Sequence, residues 1–158
     1  MIGGTAAALH YGVTRATHDI DTWTIVQDDL AAAAERARVS TGLDIPVTQS
    51  GVADAPFDFE SRLERVLPHL DRLRVFVPEK HDLALMKAIR GYEHDLQAIA
   101  EIHAHSPLDP ETLIRRFQDE MAPIGDPARI RGNILAVVER LFPDAVEDVA
   151  RRLRKAPS

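Results

Sequence analysis

Two aspartates, Asp19 and Asp21, stand either side of Ile20. On a β-strand successive side chains point to opposite faces, so the two carboxylates share one face and Ile20 takes the other. A pair of carboxylates held side by side suits a hard divalent cation such as Mg²⁺. Upstream, Gly3 and Gly4 open a short helical stretch. The first N–H groups of a helix have no partner within it, and glycine lets a ligand come close, an arrangement that suits phosphate oxygens. Metal ligands beside a phosphate cradle suggest a metal–nucleotide site.

Other residues extend that site. Thr5 offers a hydroxyl that either donates to phosphate or caps the helix. Arg15 and Thr17 flank the acidic pair, and Arg15 either orients a phosphate or closes a local ion pair. Further along come Asp82-Leu83, Lys87, Arg90 and His94-Asp95-Leu96. At about 100° per residue, Leu85, Ile89, Tyr92, Leu96 and Ile99 gather on one side of a helix. With that helix continuous through Gly91, Lys87, Arg90 and His94 form a stripe away from this side, and Asp95 sits between the two. The stripe is either a solvated basic face or a pair of cations reaching a triphosphate.

The ordered set of Ile2-Gly3-Gly4-Thr5-Ala6, then Arg15-Ala16-Thr17-His18-Asp19-Ile20-Asp21, then Lys87, Arg90 and Asp95 resembles the signature of the DNA polymerase β-like nucleotidyltransferases. The likeness runs from about residue 2 to 103 and is greatest to the minimal bacterial branch that includes the AbiEii-type toxins. It implies an enzyme with an NTP as substrate, a one- or two-Mg²⁺ site on Asp19 and Asp21, and nucleotide contacts from Gly3, Gly4, Thr5, Arg15 and Arg90. Lys87 would then be catalytic, an RNA or protein would be the acceptor, and a cognate antitoxin a possible partner. It also implies a third carboxylate on a neighbouring strand. Asp44 is the candidate, because Leu43-Asp44-Ile45 has the apolar-acid-apolar form of such a strand; Asp54 and Asp58 are its rivals in the next loop.

Composition narrows the alternatives. The 158 residues suggest one domain, with 1–78 as an α/β core and 79–158 as a helical extension. A formal charge of −6 argues against a broad grip on a nucleic-acid backbone. One Trp, two Tyr and five Phe are too few for a single-strand stacking platform. The cluster Arg115, Arg116, Arg151, Arg152 and Arg154 reads as solvated helix flanks. The absence of cysteine removes disulfides and thiol catalysis. The seven histidines show no i, i+4 pair of the zinc type. Neither Gly-x-Ser-x-Gly nor a P-loop motif occurs. No apolar run approaches the ~18 residues of a membrane span, and the start lacks a basic-then-apolar signal pattern, so a cytoplasmic protein is expected.

Periodicity and punctuation then predict the elements that carry these residues. Helix is expected over 5–11, ended by Gly12, and strand over 19–26. Asp28 and Asp29 should cap a helix over 30–39, with a second strand at 43–49 restricted to an edge by Pro46. A loop with Gly51 and Pro56 leads to a short helix at 60–67 and a strand at 73–77. Helix follows over 79–105, interrupted at Gly91, and three more begin at Pro110, Pro127 and Pro143. The fold class is therefore α/β (α+β): a small mixed sheet of nucleotidyltransferase type with flanking helices and an all-helical C-terminal half. Because only Met1 and Ile2 precede the glycines, the core is expected to be trimmed or, preferably, to begin upstream of Met1. Two functions fit: Mg²⁺-dependent transfer of an NMP from an NTP to a hydroxyl, or a catalytically silent module that binds nucleotide or a protein partner.

Overall fold

A computed structural model of the chain describes residues 1–24, 28–50, 54–121 and 126–155. Helix α1 (Gly3–Tyr11) leads to strand β1 (Ile20–Thr22), helix α2 (Asp28–Thr41) and strand β2 (Val47–Gln49). A 3₁₀ turn (Phe59–Arg62), β3 (Glu64–Val66) and β4 (Val75–Val77) follow. Helices α3 (Lys80–Arg90), α4 (Glu93–His105), α5 (Pro110–Glu120), α6 (Pro127–Leu141) and α7 (Val146–Lys155) complete the described chain, the last preceded by a 3₁₀ turn at Pro143–Ala145.

The fold is α/β as expected, with the four strands of the described residues in two two-stranded sheets in place of one mixed sheet. β1 and β2 are parallel, with Asp21 opposite Thr48, and β3 and β4 are antiparallel, with Arg65 opposite Phe76. Residues 1 and 2 stand between the two pairs. The Met1 amino group donates to the Phe76 carbonyl at 2.8 Å, and the Ile2 N–H to the Asp21 carbonyl at 2.9 Å. Two residues thus occupy the place of a central strand and link β1 to β4.

Several expected boundaries moved, each for a local reason. The first strand covers Ile20–Thr22; of the rest of its expected span, Ile25 and Val26, like Gly51 of the loop, lie outside the described residues. The second strand starts only after Pro46, which has no N–H to give; its carbonyl instead accepts from Ile20 N–H at 2.8 Å. Asp28 and Asp29 lie inside the first turn of α2, where their charge favours the helix dipole. The helix expected over 60–67 is a 3₁₀ turn followed by β3. Leu63, Val66 and Leu67 fit a helical period, yet Glu64–Val66 takes its backbone partners from β4. Gly91, at φ +69°, ends α3 in the left-handed region, its N–H donating to the Lys87 carbonyl at 3.1 Å. A Cβ there would meet Asn133 Nδ2 at 2.1 Å, so the turn between α3 and α4 requires glycine.

The C-terminal half is helical and starts its helices as the sequence predicts. Asp109 accepts from Thr112 N–H at 2.7 Å, and Asp126 from Ala128 and Arg129 N–H at 3.0 and 3.3 Å. One apolar cluster runs from Ile2, Ala6 and Tyr11 through Leu83, Leu85, Ile99 and Ile102 to Ile134, Val138 and Leu153. Helix α3 lies within it and is enclosed on every side, with Leu83, Ala84, Leu85 and Ala88 all buried. Among the described residues no helix is long and apolar enough to cross a membrane.

Buried charge fixes the start of α3. Glu79 caps it, accepting from His81 N–H at 3.0 Å and from the Arg116 guanidinium. His81 Nε2 accepts from Asp109 N–H at 2.8 Å, so its ring proton sits on Nδ1 and faces Glu79 Oε1 at 2.7 Å. Burial alone would raise the Glu79 carboxyl, but its hydrogen bonds to His81 and Arg116 and the Arg116 charge hold it at about 2, below its ordinary 4.5. A depressed carboxyl adds stability above its unfolded value and loses it as pH falls through the folded one. The thermal midpoint should therefore fall as pH drops from about 4.5 towards 2. Glu79→Gln should show a lower midpoint near neutrality and a shallower acid decline. An identical acid slope in both proteins would sink this assignment.

Candidate active site

The site begins where α1 meets β1. Gly3 has φ +73°, and a Cβ on it would come within 2.5 Å of Asp21 Oδ2. Glycine is thus required twice over, by backbone conformation and by the carboxylate lying against it. A Cβ on Gly4 would touch Thr17 Oγ1 at 3.0 Å. The Thr5 hydroxyl donates to the Asp19 carbonyl at 2.5 Å, and Thr17 Oγ1 donates to Asp19 Oδ1 at 3.1 Å. Thr5 therefore positions the backbone of the acidic pair, with its hydroxyl already committed.

Asp19 precedes β1 and Asp21 lies within it, and both line a cavity of about 330 Å³ together with Gly4, Arg15, Thr17 and His18. Ile20 and Thr22 line a separate, mainly apolar cavity on the other face, as strand alternation requires. Burial and the neighbouring Asp19 charge raise the Asp21 carboxyl above its ordinary value, while Arg90 and Lys87 pull it back. Two carboxylates that feel each other, opposed by two nearby cations, make a charge-dense centre fitted to a divalent ion and phosphates.

Lys87 and Arg90 come from α3. Of the stripe expected away from the core, Arg90 and His94 are exposed, but Lys87 is only 4% exposed, and Tyr92, expected inside, is 61% exposed. The break at Gly91 changes the rotation between the two helices. Asp95, fully buried, holds both cations, with Arg90 Nη2 donating to Oδ1 at 2.6 Å and Lys87 Nζ at 3.7 Å from the same oxygen. Among the described residues its Oδ2 has no hydrogen-bond partner, and His94 Nε2 stands 3.9 Å away. Burial lowers the Lys87 ammonium; Asp95 opposes the shift, and Arg90 and Arg15 reinforce it.

Asp21, Lys87 and Arg90 also line a second cavity, of about 360 Å³, with Gly3, Ser50, Asp54, Met86, Ile89, Tyr92 and Arg129. These three residues form a shared wall where the two spaces meet. Asp44 does not join them. It is exposed in the segment before β2, on the side of Arg38, whose guanidinium is raised first by its bond to Glu35 and only last by Asp44. Asp58 lies 3.6 Å from Arg62. Asp54 is the loop carboxylate that reaches the cavity, and no spacing in the sequence singles it out over its neighbours. Among the described residues no three His, Asp or Glu side chains gather closely enough to hold a metal by themselves. Mg²⁺ is commonly held by one or two carboxylates together with substrate phosphates, so Asp19 and Asp21 fit it as part of a metal–nucleotide complex.

The chain matches a protein-family model described as "Nucleotidyltransferase of unknown function (DUF6036)" over residues 1–136. No curated protein and no solved structure matches it.

Proposed function

Because the chain belongs to the nucleotidyltransferase family DUF6036, we propose that the paired cavities bind an Mg²⁺–NTP and that the protein moves an NMP onto a hydroxyl of an RNA or protein acceptor. The observation that carries this reading is the convergence of Gly3, Asp21, Lys87 and Arg90 on one wall. In the reaction an acceptor oxygen bonds to the α-phosphorus, the bond from that phosphorus to the bridging oxygen of pyrophosphate breaks, and the hydroxyl proton leaves. Mg²⁺ bound by Asp19 and Asp21 would polarise the phosphate and offset charge on the leaving group. Gly3 and Gly4 give the phosphates access to the start of α1, where the backbone dipole favours anions. Lys87 and Arg90 neutralise the triphosphate, and Asp95 keeps both cations aimed at it. Asp54, which lines the same cavity as Gly3, Asp21, Lys87 and Arg90, is the carboxylate we assign to accept the hydroxyl proton or complete the metal site. That role passes to it because Asp44 lies elsewhere.

The same motifs support the AbiEii-type branch, with a cognate antitoxin as partner, as the finer assignment. Its test is a transfer assay with labelled NTP and candidate acceptors such as tRNA, alongside calorimetry of Mg²⁺-dependent NTP binding. Asp21→Asn keeps the side chain's shape and removes its charge. It should weaken metal-dependent NTP binding at least about tenfold, equivalent to ~1.4 kcal/mol, and abolish labelling. Equal binding and labelling before and after the change would overturn the mechanism. Binding that depends on Asp21 without any transfer would instead favour a silent nucleotide-binding module.

A further inference from the structure

A triphosphate lying against Gly3, Lys87 and Arg90 must continue, through its ribose and base, into one of the two cavities that meet there. Those cavities differ in their walls. The one containing Asp19 is bordered by Arg15, Thr17, His18 and His94, and its apolar side chains are small: Ala7, Val13, Ala16 and Ala98. The other has a broad apolar side of Leu83, Met86, Ile89 and Tyr92, with Arg129 and Asp54 as polar groups. A flat heterocycle needs an apolar wall with a few polar groups around it, and a volume of about 360 Å³ lies within the range of ligand sites.

We propose that the nucleobase of the bound NTP enters the cavity walled by Met86 and Ile89 and stacks on the ring of Tyr92, a placement that rests on the metal–nucleotide reading above. Tyr92 is 61% exposed, although it sits on a rigid corner. Its carbonyl accepts from Asp95 N–H at 2.8 Å and Leu96 N–H at 3.1 Å, and Gly91 before it is held in the left-handed region. The His94 ring lies nearly parallel to the Tyr92 ring, with centroids 5.3 Å apart and planes 18° from parallel. An aromatic ring pre-set in this way loses little side-chain freedom when a base packs against it. Arg129 stands at the same cavity with Nη1 donating to the Ile89 carbonyl at 3.2 Å, which places a guanidinium beside the apolar wall. Tyr92 thereby joins the phosphate wall to the base, because residues two and five positions before it on the same chain segment are Arg90 and Lys87.

The test separates the base from the phosphates. Mg²⁺–tripolyphosphate and each of the four Mg²⁺–NTPs are titrated by calorimetry into wild type, Tyr92→Ala and Tyr92→Phe, with thermal unfolding run on all three. The wild type should bind its preferred NTP more tightly than tripolyphosphate. Tyr92→Ala should weaken NTP binding about 5- to 100-fold, as loss of one stacked base does. It should leave tripolyphosphate affinity and the unfolding midpoint unchanged, and Tyr92→Phe should behave as wild type. Undiminished NTP binding by Tyr92→Ala, or an equal fall for both ligands, would overturn the base placement and leave the metal–phosphate site standing. Failure of the wild type to bind tripolyphosphate or any NTP would overturn both.

Discussion

Replacing Asp82 with alanine should cost about 3–5 kcal/mol of folding stability, the usual consequence of removing one partner from a buried charge pair. Asp82 is fully buried and receives Arg62 Nε at 2.8 Å, Arg62 Nη2 at 3.0 Å and Arg116 Nη1 at 2.9 Å. Without it, Arg62 retains Glu120 at 2.6 Å and Arg116 retains Glu79, but two partly desolvated guanidiniums would face each other across an empty site. For a chain of this size each kcal/mol shifts the thermal midpoint by roughly 2–4 °C, so a fall on the order of 10 °C is expected. Glu120→Ala, at the outer edge of the cluster, should lower it much less. A midpoint within 2 °C of wild type for Asp82→Ala would show that the cluster does not hold the fold.

That cluster matters for function through position. Asp82 lies in the first turn of α3, and Lys87 lies further along the same helix. Arg62 comes from the 3₁₀ turn before β3 and Arg116 from α5, so the carboxylate ties three elements together and fixes how α3 presents Lys87 to β1. A variant that relaxes this link should lose nucleotide affinity without touching the nucleotide. Adding saturating Mg²⁺–NTP should then raise the variant's midpoint, because binding selects the native state.

The sequence revealed the parts of the site whose chemistry needs particular residues at short spacing. Gly3-Gly4 and Asp19-x-Asp21 are such parts, since the strand period alone puts both acids on one side and Ile20 on the other. The C-terminal helices were legible because Asp109-Pro110 and Asp126-Pro127 are local stop-and-start signals. What escaped depends on distant partners. Asp82 meets Arg62 and Arg116 across separations of 20 and 34 residues, and no local pattern marks a buried acid among helical neighbours. Asp54 is one of several loop acids, and only the fold decides which enters the cavity. Asp44 had the flanking residues of a strand acid, yet Pro46 starts the strand too late to include it. For Lys87 the sequence left a solvated stripe and a triphosphate contact both open, and its burial follows from α3 being enclosed on every side from His81 to Ile89; the break at Gly91 displaced Tyr92, because the rotation assumed a continuous helix.

Lys87 makes the sharpest division between folding and function. It is almost wholly buried, its partner Asp95 is 3.7 Å away, and Asp95 is already held by Arg90 at 2.6 Å. Burial depresses its ammonium, which means that the fold disfavours the charged form and gains nothing from it; a lysine lowered in this way subtracts stability at pH values below its unfolded value. Methionine has a similar length and no charge to desolvate. Lys87→Met removes that desolvation cost but leaves the buried Asp95 to Arg90 alone, so the two effects oppose each other and the thermal midpoint should move by only a few degrees. Nucleotidyl transfer should fall by about 10³-fold, the low end of the effect of removing a cation from transferring phosphate. The measurement pairs the unfolding midpoint with transfer rate and Mg²⁺–NTP affinity in the same preparation. A stable, inactive variant would identify Lys87 as a group kept against the interest of the fold, which is the mark of a functional residue. A variant that loses both in step would make Lys87 a strut for Asp95, and the phosphate-binding role would pass to Arg90 alone.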